Sequence, residues 1–94
     1  MFELIKNYFF SITDNIDNIK IEDIVTYKDK KISIVVDNRG KYMASFEILR
    51  DYTYDFLIVD VSNERIIVTK TKKFWNDEDL YKEINDDLNI LNSM

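Results

Sequence analysis

The spacing of apolar residues changes twice along this chain, and that change limits the folds open to it. Phe2, Ile5, Phe9, Ile12, Ile16 and Ile19 recur three or four residues apart, which draws one apolar stripe down a helix. The Asp14-Asn15 and Asp17-Asn18 pairs have weak helix propensity, so the helix is firm to about Thr13 and its continuation to Ile19 is left open. From Glu22 the period becomes two. Ile32, Ile34 and Val36 alternate with Ser33, Val35 and Asp37, and Tyr42, Ala44, Phe46 and Ile48 alternate with Met43, Ser45, Glu47 and Leu49. Alternation with β-branched content predicts strands. Two more are expected over residues 54–61 and 64–70, and a short one over residues 23–28 adds a fifth member.

The connections are short. Asp29-Lys30, Asn38-Arg39-Gly40, Asp51-Tyr52 and Ser62-Asn63-Glu64 are the turns, and none has room for a parallel crossover, so the strands form an antiparallel meander. Gly40 is the only glycine in the chain. A three-residue hairpin loop favours a left-handed residue in its last position, and a turn explains this glycine better than a ligand does. At the far end Asn76 is a ready N-cap, and Asp77, Glu78 and Asp79 place negative charge at the positive end of a helix dipole. Tyr81, Ile84, Leu88 and Leu91 then supply a helical stripe, with Leu80 widening it on one side. The expected fold class is α+β: a meander of four to five strands with an N-terminal and a C-terminal helix packed on the sheet. With no linker or repeat among its 94 residues, the chain is read as a single domain, 1–94.

Composition excludes most chemistry. The chain has no cysteine and no histidine, which removes disulfides, thiolate nucleophiles, the usual zinc ligands and the one side chain that titrates near neutrality. A single glycine rules out glycine-rich phosphate loops. Carboxylates are the remaining catalytic candidates: Asp51, Asp55 and Asp60 near the fourth strand, and Asp77, Glu78 and Asp79 at the last helix. Solvated charge and helix capping account for them, and Asp77-Glu78-Asp79 lacks the alternate spacing and mid-loop glycine of a calcium loop. Neither an enzyme nor a cofactor is expected. The longest apolar runs, such as Phe56-Leu57-Ile58-Val59, fall far short of the ~20 residues of a membrane span. Glu3, Lys6 and Asn7 interrupt the apolar N-terminus, unlike a secretory signal, so the expected location is the cytoplasm.

The net charge is −5, and residues 74–94 carry all of it: Lys82 stands against Asp77, Glu78, Asp79, Glu83, Asp86 and Asp87. Such a segment favours a basic protein partner over nucleic acid. Lys70-Thr71-Lys72-Lys73-Phe74-Trp75, which sets three cations beside two aromatics, supports the alternative of a nucleic-acid-binding accessory protein. Tyr52 and Tyr54 flank a turn among Asp51 and Asp55, a pattern that suits aromatic anchors in a protein interface and equally suits cross-strand packing.

In its order of elements, and in Ser45-Phe46-Glu47-Ile48, the run from Asp55 to Asp60-Val61, Ser62-Asn63-Glu64 and Asp79-Leu80, the chain resembles small bacterial immunity proteins. The resemblance is to the TriTu immunity protein family of polymorphic toxin and contact-dependent growth inhibition systems. It covers residues 32–91, with Leu49 and Tyr52 where the family carries a tryptophan and a glycine. It implies a protein that binds one cognate toxin domain, with a nuclease as the expected class, and blocks it by stoichiometric inhibition. Asp51, Tyr52, Tyr54, Asp55, Trp75, Asp77 and Glu78 are the candidate toxin-binding residues, the carboxylates for charge and the aromatics as anchors.

Overall fold

A computed structural model describes all 94 residues. The order is α1 (Phe2–Thr13), β1 (Ile19–Tyr27), β2 (Lys31–Asn38), β3 (Tyr42–Leu49), β4 (Thr53–Asp60), β5 (Arg65–Lys73) and α2 (Asp77–Asn92). The five strands form one antiparallel sheet in sequence order, with both helices on one face and the other face open. No helix is long and apolar enough to cross a membrane.

One core lies between the layers. Ile5 and Phe9 from α1 and Leu80, Ile84, Leu88 and Leu91 from α2 are buried against alternate residues of the strands: Ile32, Ile34 and Val36; Ala44, Phe46 and Ile48; Tyr54, Phe56 and Ile58. At its centre Phe46 meets Phe9 edge-on and tilts against Phe56, both at 4.9 Å between ring centroids. Each buried aliphatic or aromatic side chain of this kind contributes about 1.5–3 kcal/mol relative to exposure.

Two boundaries differ from the sequence-based expectation, and a third, left open there, falls at its firm limit. The first helix stops at Thr13, whose hydroxyl donates back to the Phe9 carbonyl. The first strand begins at Ile19, four residues earlier than the expected start. A bulge between Ile21 and Asp23 resets its alternation, so Ile19, Ile21 and Ile24 all turn toward the core. That spacing of two and three imitates a helix continuing from Ile16. The fifth strand runs on to Lys73, which carries Lys72 and Lys73 into the sheet.

The turns are strained where glycine is missing. Gly40 takes φ +74°, and Arg39 before it takes +53°. The Gly40 N–H donates to the Asp37 carboxylate, at 3.0 Å to the nearer oxygen. Lys28, Tyr52 and Glu64 also occupy the left-handed region, one in each of the other three hairpins.

Candidate functional site

The β3–β4 turn and the β5–α2 connection come together at one end of the sheet. The Phe74 N–H donates to the Tyr52 carbonyl at 3.0 Å, which fastens the exit of β5 to the turn. Tyr52 takes φ +68° there, and its hydroxyl donates to Asp77 Oδ1 at 2.7 Å. That bond raises the Tyr52 phenol above the usual tyrosine range, with burial and the charge of Asp77 adding to it. Asn76 caps α2 by accepting the Asp79 N–H at 2.8 Å. Across the turn Asp51 accepts the Thr53 N–H and lies 3.6 Å from Lys73. Hydrogen bonding from Thr53, helped by Lys73, holds the Asp51 carboxyl below its ordinary value.

Trp75 stands out of this frame. It is 81% exposed, more than any other large hydrophobic residue, with the Lys73 ammonium 5.2 Å from its ring centroid. A shallow groove of about 370 Å³ runs from Trp75 and Phe74 along the outer side of α2, between Lys73, Asp79, Lys82 and Asp86. Glu78 is exposed on the first turn of α2 beside Asp77. Five of the seven candidate residues therefore share one end: Asp51, Tyr52, Trp75, Asp77 and Glu78.

The other two do not join them. Tyr54 is not an exposed anchor: it is fully buried, packed edge-on against Phe74 at 5.9 Å, and its hydroxyl donates to Asp87 Oδ2 at 2.6 Å. Strand alternation decides this, because Tyr54 shares the inward parity of Phe56 and Ile58. Asp55 takes the opposite parity and lies on the open face, where it accepts a hydrogen bond from Thr71 Oγ1 and stands directly across from Glu47.

The charge of α2 is also less outward than composition suggests. Asp87 is fully enclosed and accepts from Lys70 Nζ at 2.6 Å as well as from Tyr54. Glu83 receives Lys72 at 2.6 Å and Lys70 at 3.3 Å. Burial raises the Asp87 carboxyl, and its two hydrogen bonds offset that only in part. Burial also works against the charge of Lys70 and of Glu83. Here the partners prevail: Asp87 and Glu83 raise the Lys70 ammonium, and Lys72 with Lys70 lowers the Glu83 carboxyl. The lysine gains more from the pair than the aspartate because a quarter of it still reaches water (27% against 0%).

This network has a signal in the sequence. Leu80, Ile84, Asp87, Leu88 and Leu91 are the buried positions of α2, so Asp87 lies on the apolar stripe, and Lys70 shares the inward parity of Val68. Tyr81, expected on the stripe, sits at its margin and stacks on Tyr8 at 4.6 Å. The same bonds engage the cations of residues 70–75, since Lys70, Lys72 and Lys73 each face a carboxylate. No three acidic residues gather closely enough to hold a metal ion. Compared with known protein families, curated proteins and solved structures, the chain finds no match.

Proposed function

We propose that this chain is an immunity protein, which binds a cognate bacterial toxin domain one to one and neutralises it by occupying its surface. On this reading it works in the cytoplasm of the cell that makes the toxin. The observation that carries it is Trp75: an aromatic side chain 81% exposed, on a backbone fastened by the Phe74–Tyr52 and Tyr52–Asp77 bonds, with Lys73 over its ring and both Lys82 and Asp79 in the groove beside it. An exposed aromatic on a fastened backbone inside a charged rim is what a protein interface uses, and the net charge of −5 steers toward a basic partner. The conformation of Tyr52 supports the resemblance to immunity proteins, because φ +68° is one that glycine favours at a position where that family carries glycine. Nucleic-acid binding through residues 70–75 has less support, since its three lysines are already paired.

The test is co-purification with the toxin domain encoded beside this gene, together with protection of cells expressing that domain. A one-to-one complex that Trp75→Ala weakens is the expected result. Failure to bind any adjacent toxin domain and failure to protect would overturn the proposal.

A further inference from the structure

The face of the sheet turned away from the helices is uncovered, and its side chains stand in rows across the strands. Register aligns Met43, Val59 and Ile66 in one row. Val35, Ser45 and Leu57 form the next. One step further along the strands, about 7 Å on, Glu47 stands directly opposite Asp55. Lys31 and Lys73 close the face, and Lys73 lies over Trp75, so this surface is continuous with the exposed aromatic end.

Two hollows, each of about 320 Å³, adjoin on this face and share Ser45 and Leu57. One is lined mainly by Val35, Met43, Leu57, Val59 and Val61. The other contains both Glu47 and Asp55. Like charges directly opposite each other weaken a sheet. Lys31 relieves Glu47 at 3.5 Å, whereas Asp55 has only the Thr71 hydroxyl and no ion pair. The face thus presents an apolar seat with an undercompensated carboxylate pair one row away.

We infer that this open face docks a protein partner that places an apolar side chain over Met43 and Leu57 and an arginine or lysine between Glu47 and Asp55. The inference rests on the reading of the chain as a binder of a basic protein and adds the surface and the chemistry of recognition. A second copy of the chain is the less favourable occupant. A two-fold axis along the strands sets Glu47 and Asp55 against their own copies, and an axis across the strands through the Val35–Ser45–Leu57 row sets Met43 on Glu47 and Val59 on Asp55. A different chain that carries an apolar side chain and a cation at this spacing satisfies both hollows.

The chemistry is testable without the partner. The probe is n-hexylguanidinium, an apolar tail ending in a cation, titrated into the ¹⁵N-labelled full chain. Saturable amide shifts centred on Ser45, Glu47, Asp55 and Leu57 are expected, several-fold larger than those caused by n-hexanol or guanidinium alone, and weakened by Asp55→Asn. Shifts confined to the α2 end, or scattered over all surface carboxylates, would overturn the inference. With the adjacent toxin domain in hand, Leu57→Lys and Asp55→Lys should each weaken binding about tenfold or more while the folded spectrum persists. If the unaltered chain binds and both variants bind equally well, the docking face is wrong and the immunity reading stands. If the unaltered chain does not bind, the immunity reading falls and the hexylguanidinium titration alone decides the surface.

Discussion

Replacing Asp87 by alanine removes the acceptor of two bonds of 2.6 Å, one from Tyr54 and one from Lys70. The Tyr54 hydroxyl is then sealed in the core with no partner, which costs about 1–3 kcal/mol. Lys70 keeps Glu83 at 3.3 Å and part of its side chain in water, so its loss belongs near the low end, about 1 kcal/mol. The sum, about 2–4 kcal/mol, overlaps the range measured for breaking buried ion pairs. At about 4–8 °C per kcal/mol for a domain of this size, melting falls by roughly 10 °C or more. Urea denaturation at pH 7, followed by far-ultraviolet circular dichroism, measures the loss directly. Asp87→Asn, which keeps an acceptor for Tyr54, should lose less. Tyr54→Phe introduced into Asp87→Ala should recover about 1 kcal/mol or more by removing the orphaned hydroxyl. An Asp87→Ala variant within about 1 kcal/mol of the parent, or a Tyr54→Phe effect equal in both backgrounds, would refute the reasoning.

Three further expectations follow from the geometry. Burial and then the bond to Asp87 raise the Tyr54 phenol far above its ordinary value of 10.0, so the folded chain holds a proton that the unfolded chain releases. The stability this confers is whole below pH 10 and declines above it by about 1.4 kcal/mol per pH unit, a slope that Tyr54→Phe should flatten in urea titrations between pH 9 and 11. At the turns, Gly40→Ala should destabilise by about 1 kcal/mol although the added methyl meets no neighbour, because φ +74° disfavours a Cβ. Lys28→Gly, at φ +54°, should do the reverse by about 0.5 kcal/mol, and thermal melts of both variants check the pair of signs. Trp75→Ala should leave stability within about 0.5 kcal/mol, and the parent should show the red-shifted tryptophan emission of a water-exposed indole.

Much of the architecture was legible because it is written in local periodicity. The inward residues of β2, β3 and β4 were readable from alternation alone, and short connections left the antiparallel meander as their arrangement. The first strand was the least legible, because its bulge after Ile21 breaks the period on which the reading depends. At the candidate site, residue type placed Asp51, Tyr52, Trp75, Asp77 and Glu78 near element ends, where structure brings them together. Tyr54 and Asp55 part from them, and from each other, for one reason: neighbours in a strand point to opposite faces, so a contiguous run of attractive residues is split between core and surface.

The sequence by itself determined the class of this protein and the chemistry it lacks. Period, turn length and the absence of cysteine, histidine and proline depend on no distant contact. Only the tertiary structure decided where the charge points. Composition counts Asp87 and Glu83 with Glu78 as one acidic helix, but a helix turns 100° per residue and packs one side on the sheet. Asp87 is thereby enclosed with Lys70 and Tyr54, and Glu83 is held by Lys70 and Lys72, while Glu78 stays in water beside the exposed Trp75. The same packing leaves the far face of the sheet bare, and there register alone sets Glu47 against Asp55, eight positions away along the chain. Long-range pairing, which local periodicity only hints at, turned one acidic segment into a neutralised interior and a surface with carboxylates to spare.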